Sequence, residues 1–471
     1  MPTHSSALPR SSALPPAFDS IATLSARLAS GEATSTSLLT ECLARIREHN
    51  QLLHAFSEVY EEEALLAADA ADRLLRAGVR LGPLHGIPVA LKDLVDVAGK
   101  VTTNGSRLFA NRVPKESARI VQLLHAAGAI VIGKTHMVQF ALGAWGTNEH
   151  TGTPRNPWDL TEHRTPGGSS SGSAVAVAAG LVPLAIGTDT GGSVRVPASF
   201  CGITGFKATA GVIDTTGVLP LSTTLDSIGV FARSVEDAAL LYGVLAEDRT
   251  LAAEGVLPAA AAGLKGVRVA RLADADLAGV ATDVRAAYET ALEDFRAAGA
   301  HVSVVPMPRP LDTFAQTASS IMLSEGALEW GDIAADMAQE MDTSVRPRFA
   351  VGARISATEY VRAMRQRQAW KGEFAHLLER FDVIATPTTM TTAIPVASVD
   401  HGTAPVRYTR ILNLLDMCGV SLPVGIDRDG LPIGLQLGAP EGADARLAGI
   451  AQAFQSRTTH HHRTPSQCAV S

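Results

Sequence analysis

The sequence predicts an α/β fold, a single large domain with a central mixed β-sheet flanked by helices and entered through an N-terminal helical layer. Three observations carry this expectation. Short apolar runs at Ile87–Leu91, Ala129–Ile132 and Val182–Ile186 have the length of buried strands and alternate with helical patterns at Ser117–Ala127 and Ser173–Ala179. Such alternation argues for a mostly parallel or mixed sheet with helices against its faces. From Phe18 to Gly78, Leu24, Leu28, Leu38, Leu39, Cys42, Leu43 and Ile46 recur at three- and four-residue steps, and an Ala-rich stretch over Ala64–Leu75 follows, so the entry reads as helical. Finally, 471 residues that are 46% hydrophobic and only 18% charged suffice to bury a sizeable interior.

The later elements follow in order. Val267–Leu272 reads as a strand, Thr282–Ala298 and Ala357–Arg380 as long amphipathic helices, and Val383–Thr386 as a buried strand stopped by Pro387. Leu431–Leu437 looks like a late strand and Asp444–Phe454 a closing helix. The Ala-dominated stretch Leu251–Leu264, broken by Gly255, Pro258 and Gly263, reads as a linker or surface loop. Residues 1–16, rich in Ser, Pro and Ala, lack the apolar stretch of a secretory signal and are expected to be a disordered lead-in. The domain then spans 17–465, with its most informative segment at about 80–230 and a short tail at 466–471. No internal repeat occurs, which sets solenoids and propellers aside.

Charge and cysteine usage narrow the setting. A net charge of −7 with no long run of Lys or Arg disfavours nucleic acid as a direct partner. Cys42, Cys201, Cys418 and Cys468 are widely spaced and show no Cys-x-x-Cys pairing, which suits a reducing, cytoplasmic compartment. The most apolar run, Ala174–Ile186, is interrupted by Gly180 and Pro183 and is shorter than the ~20 residues a membrane span needs.

Three segments could carry chemistry. Lys92 ends the apolar run Gly86-Ile87-Pro88-Val89-Ala90-Leu91, so its ammonium emerges at the end of a buried strand, where desolvation lowers a lysine pKa and makes the neutral amine a competent base. The alternative is a lysine that reaches solvent or pairs with Asp93. The cluster Thr165-Pro166-Gly167-Gly168-Ser169-Ser170-Ser171-Gly172-Ser173 permits unusual backbone geometry before an Ala/Val helix; its plainer reading is a polar loop with Ser171 or Ser173 as a helix cap. A phosphate-cradling loop is set aside because the Gly-Lys-Ser/Thr ending is missing. The third segment is Gly187-Thr188-Asp189-Thr190-Gly191-Gly192-Ser193-Val194-Arg195, where glycines before a serine let backbone amides approach a substrate carbonyl. On its own it reads as a tight turn before a helix.

Together, with 24 positions between Ser169 and Ser193, the segments resemble the amidase signature family of serine amidohydrolases. The resemblance runs from Leu53-His54-Ala55-Phe56 through Gly86-Ile87-Pro88 and Lys92-Asp93 to Gly434-Leu435-Gln436. It implies Ser193 as nucleophile, Ser169 as a bridging serine with a cis peptide, and Lys92 as terminal base. It also implies an oxyanion hole of the backbone amides of Thr190, Gly191, Gly192 and Ser193. Ser170, Asp189 and Arg195 match motif positions and are expected to hold the loops by hydrogen bonds. No cofactor and no metal are implied. The expected function is cleavage of the C–N bond of a carboxamide, or of a related carbamate or aryl amide, through an acyl-enzyme on Ser193. The alternative is the glutaminase A subunit of a tRNA-dependent amidotransferase. Expected partners are a small-molecule amide and, by the same resemblance, a second copy in a homodimer.

Other residues carry weaker signals with plainer readings beside them. Similar enzymes often carry an acidic residue where this chain has Val138 and Gln139, a departure that speaks against the amidotransferase alternative. Trp145 is either a wall of the substrate channel or a core residue. The tract His460-His461-His462 cannot converge three consecutive side chains on one ion from a helix or strand, so metal binding is not expected there. Cys201 reads as a buried thiol, and Asp382 and Asp416 as acids beside apolar runs. The substrate pocket is expected to be largely apolar, walled by the stretches around Met322–Trp330 and Met390–Arg407, with Arg354 or Arg407 as carboxylate partners.

Overall fold

The computed structural model describes residues 16–254 and 263–466, so the expected lead-in, most of the Ala-rich stretch after Leu251 and Cys468 lie outside the described residues. Among the described residues eleven strands form one mixed sheet: β1 (Phe56–Val59), β2 (Pro88–Lys92), β3 (Ile130–Thr135), β4 (Leu184–Asp189), β5 (Thr204–Lys207), β6 (Ser227–Ala232), β7 (Arg268–Leu272), β8 (His301–Val305), β9 (Val383–Pro387), β10 (Cys418–Ile426) and β11 (Pro432–Ala439). Their order across the sheet is β1-β3-β2-β4-β6-β5-β10-β11-β9-β7-β8. β2 lies parallel to both β3 and β4, whereas β4 turns antiparallel to β6 on its other side. β5 and β10 join the two halves of the chain.

The expected strands and flanking helices are present, and the two-faced burial explains their apolar runs. β2, β3 and β4 bury every residue. Alternate side chains feed separate cores: Val89, Leu91, Val131 and Ile186 pack into one, Ala90, Ile130, Ile132 and Ala185 into the other. The helical entry consists of α1 (Ile21–Ser30), α2 (Ser35–Leu53) and α3 (Glu61–Arg76). α2 starts at a capping box, in which Thr34 Oγ1 accepts from Ser37 N and Ser37 Oγ accepts from Thr34 N. The entry is not helical throughout: α2 stops at His54 in the left-handed region, and β1 pairs antiparallel with β3 before α3 begins. α4 (Arg119–Ala126), α5 (Ser171–Ala178) and α6 (Arg195–Cys201) connect the central strands. Strands β5, β6, β8 and β10 and the 25-residue helix Leu311–Ala335 are additional to the sequence reading.

Candidate active site

Lys92, Ser169 and the loop after Asp189 meet at the carboxyl ends of β2 and β4, where open α/β sheets present their ligand sites. The parallel register sets Leu91 beside Ile186, which brings Lys92, the next residue of β2, and Thr188, two residues on in β4, to the same edge. Lys92 is completely buried, and its Nζ donates to Ser169 Oγ and to Thr188 Oγ1, each at 2.8 Å. Burial pulls its pKa from 10.5 down to about 7, against the opposing charges of Asp226 and Asp189. The amine is therefore largely uncharged above neutral pH. Asp93, the alternative partner, turns away: it takes the Thr103 amide at 3.2 Å and faces Lys134 Nζ at 3.5 Å.

The serine cluster is a structural joint as well as a source of hydroxyls. The Gly168–Ser169 peptide is cis. Ser170 N donates to Ser193 O at 3.3 Å, and Ser170 Oγ donates to Thr188 O at 3.2 Å, lacing the cluster to β4 and the following loop. Gly187 makes room for this, because a Cβ there would lie 2.6 Å from Ser170 Oγ. Neither Ser171 nor Ser173 caps α5: Ser171 Oγ reaches His136 O at 3.5 Å, and Ser173 Oγ reaches Ile186 O at 2.9 Å.

Asp189 and Arg195, both fully buried, shape the loop between them. The Asp189 carboxylate accepts from Gly192 N at 2.7 Å, Val194 N at 3.1 Å, and Arg195 Nε and Nη2 at 3.0 and 2.8 Å. Burial alone would raise its pKa, but the Arg195 charge and these hydrogen bonds hold it far below the usual carboxylate range. Arg195 in turn donates to Thr409 O at 2.8 Å, Gln436 Oε1 at 2.6 Å and Asn413 Oδ1 at 2.6 Å. Asp189 and Arg195 thus link the loop to Thr409, Asn413 and Gln436, and Ser170 links the serine cluster to it.

One expected oxyanion donor is engaged elsewhere. The Gly192 N–H points to Asp189 Oδ1, so in this arrangement it fixes the loop. The N–H groups of Thr190, Gly191 and Ser193 meet no acceptor among the described residues. Gly192 adopts φ 131°, and a Cβ there would fall 2.3 Å from Thr409 Oγ1. Thr190 Oγ1 donates to Asp226, whose own pKa is raised by burial.

Ser193, Thr190 and Gly191 open on a chamber of about 30 Å³. Its walls include Ala141–Ala144, Met322, Val406, Arg348 and Arg410. It shares Leu142, Met322, Arg348, Ala404, Val406 and Arg410 with a larger outer cavity of about 490 Å³. Met322 and the segment Met390–Arg407 contribute walls as expected, but Trp330 is a core residue bonded to Pro220 O. Arg354 is exposed and lines neither cavity, while Arg407 stands at the outer cavity and donates to Ala278 O at 2.9 Å. The sequence reading gave Thr188 no role although it lies within the Gly187–Arg195 segment, and it missed Asp226, Arg348, Arg410 and Asn413, whose neighbourhoods carry no motif of their own.

The remaining candidates fall into structural roles. Trp145 stacks on Phe200 at 6.1 Å and donates to Thr403 O at 3.0 Å, behind the cavity wall. Val138 and Gln139 are buried; Gln139 accepts from Asp342 N at 2.8 Å and donates to Ser106 Oγ at 2.9 Å, anchoring the turn that leads to Ala141–Ala144. Asp382 pairs with Arg268 and Arg446, and Asp416 with Arg367 and Lys371. Cys201 is fully buried, with its thiol pKa pushed up by desolvation. His460–His462 form one short 3₁₀ turn whose His461 carbonyl accepts from Arg233. Among the described residues no cluster of three or more His, Cys, Asp or Glu side chains could hold a metal, and no helix is long and apolar enough to cross a membrane.

The family profile described as Amidase matches residues 37–448, most of the chain. The chain belongs to the amidase family. Among its relatives, the A subunit of the glutamyl-tRNA(Gln) amidotransferase of Aromatoleum aromaticum is 38% identical, over 96% of this chain and 99% of the relative. The 2-amino-5-chloromuconic acid deaminase of Comamonas testosteroni is 36% identical, over 94% and 97%. Among solved structures, the native peptide amidase of Stenotrophomonas maltophilia superposes with a TM-score of 0.83 at 29% identity, covering 94% of this chain and 98% of that one. The amidase fold and a hydrolase acting on C–N bonds follow from this membership.

Proposed function

We propose that this amidase cleaves the C–N bond of a carboxamide by forming an acyl-enzyme on Ser193 and releasing ammonia or an amine. The observation that carries the reading is the buried Lys92 amine, about half neutral at pH 7 and 2.8 Å from Ser169 Oγ, beside a loop whose Thr190, Gly191 and Ser193 amides are unengaged among the described residues. Ser193 Oγ attacks the carbonyl carbon while its proton passes to Ser169 and the Ser169 proton to Lys92 Nζ. The oxyanion accepts from these three amides, which have no other acceptor among the described residues to give up. On collapse the C–N bond breaks and the leaving nitrogen takes its proton from Ser169, which Lys92 reprotonates. Water then attacks the ester along the same relay, giving the carboxylic acid and restoring Ser193.

A second reading, the glutaminase component of a tRNA-dependent amidotransferase, is supported by the 38% identity to such a protein. The two separate on the purified chain: ammonia release from simple amides without a partner supports the stand-alone amidase. Activity on glutamine only when partner chains are added supports the other. Ser193→Ala should abolish covalent labelling by a fluorophosphonate; undiminished labelling would sink the nucleophile assignment.

A further inference from the structure

Two arginines line the chamber without a carboxylate within ion-pair reach among the described residues. Arg195 and Arg367, by contrast, each face a buried carboxylate. Arg348 and Arg410 line both the inner chamber and the outer cavity, and neither forms an ion pair among the described residues. Arg348 donates to the backbone oxygens of Leu142 at 3.3 Å and His401 at 2.8 Å. Arg410 donates to Ser319 Oγ at 2.9 Å. A guanidinium has five N–H donors, so most remain available to a ligand in the cavity.

We propose that Arg348 and Arg410 form an anion subsite that clamps a carboxylate on the acyl half of the substrate, so that the enzyme acts on amides of dicarboxylic acids. The inference rests on the amidohydrolase reading and adds the substrate class. Two guanidiniums in one partly desolvated wall repel each other unless an anion lies between them. That repulsion registers in Arg410, whose pKa is pulled down to about 10 by burial and then by the Arg348 charge. Arg348 is lowered by burial too, with Asp342 opposing. Asp342 is no partner in waiting: it already accepts from Glu149 N at 3.1 Å and from Ser344 N at 2.9 Å.

The geometry also says where the anion sits. The Arg410 stem crosses the oxyanion loop, since a Cβ on Gly191 would lie 3.2 Å from Arg410 Cγ. The carboxylate thus binds near Ser193, with Leu142, Met322 and Val406 offering apolar wall to the carbon chain between the two ends. Farther out, Asp312 stands 4.0 Å from Arg407 at the mouth of the outer cavity, and no carboxylate among the described residues lines the inner chamber. An ammonium beside the bound carboxylate would therefore meet two cations and no counter-charge.

The test compares ammonia release from malonamate, succinamate, glutaramate and adipamate with that from butyramide, valeramide and glutamine. For at least one ω-amido acid, kcat/KM should exceed that of the neutral amide of similar length by about 100-fold, because a site built for a polar group rejects the analogue lacking it. Glutaramate should exceed glutamine. Arg348→Met and Arg410→Met should each lower the acid-to-neutral ratio at least about tenfold, with Arg410→Lys recovering part of it. Glutarate should slow fluorophosphonate labelling of Ser193 in the wild type and not in the double methionine variant. A labelled, active enzyme that prefers neutral amides, with a ratio unmoved by Arg410→Met, overturns the subsite alone. Absence of both labelling and turnover overturns the amidohydrolase reading on which it rests.

Discussion

On the proposed mechanism the protonation state of Lys92 should set the acidic limb of activity, with a magnitude that follows from burial. An ordinary lysine at 10.5 would be neutral in only about 0.3% of molecules at pH 8, whereas a value of about 7 makes about 90% neutral. Burial thus raises the active fraction about 300-fold, at a free-energy cost to the ammonium form on the order of 5 kcal/mol. The sign is fixed: lowering pH protonates the base, so kcat/KM should fall about tenfold between pH 8 and pH 6. Steady-state rates and fluorophosphonate labelling of Ser193 should show the same limb, since both need the same deprotonation. Lys92→Met should remove the limb together with most of the rate. Because the folded pKa lies below that of the unfolded chain, wild-type stability should rise with pH from about 7 toward 10.5, and the methionine variant should lack that rise in chemical denaturation. A flat labelling rate from pH 6 to pH 8, or an unchanged limb in residual Lys92→Met activity, would refute the reasoning.

Other outcomes test the surrounding structure. Arg195→Met leaves the fully buried Asp189 without its ionic partner and should destabilise the fold by about 3–5 kcal/mol, read from the denaturant midpoint. Gly192→Ala places a Cβ against Thr409 in a left-handed backbone and should lower kcat at least about 100-fold through loss of loop geometry; an unaltered kcat would show that the loop tolerates the shift. Cys42, Cys201 and Cys418 are buried with raised pKa values, Cys42 to about 12, and should resist iodoacetamide until denaturant unfolds the chain, as peptide mass mapping would reveal.

What the sequence disclosed depended on how locally each feature is encoded. β2, β3 and β4 are buried on both faces and so stand out as unbroken apolar runs. β5, β6 and β10 carry Gly205, Gly229 and Gly419 in their interiors; they hold as strands because neighbours pair with them on both sides, a tertiary cause that a linear pattern does not carry. The same divide runs through the site. Ser169 and the Asp189–Arg195 loop sit in glycine- and serine-rich segments that announce unusual backbone, and Lys92 is a lone charge closing an apolar run. Arg348 and Arg410 come from ordinary helical sequence about 60 residues apart, and only the packing of distant elements brings them to one cavity. Gly192 shows the limit of carrying a role by position: the motif offers four amides, and the side chain of Asp189 removes one.

The fastening of Arg195 to Thr409, Asn413 and Gln436 bears on when a molecule becomes competent during its synthesis. Every residue proposed to act in bond cleavage has been synthesised by residue 195, yet the clasp that sets the loop amides needs partners more than 200 positions later. Strand β5 likewise awaits β10. A nascent chain halted anywhere before Gln436 would hold the serines and the lysine without the complete clasp on Arg195, so it should turn over amides and label with a fluorophosphonate far more slowly than the finished molecule.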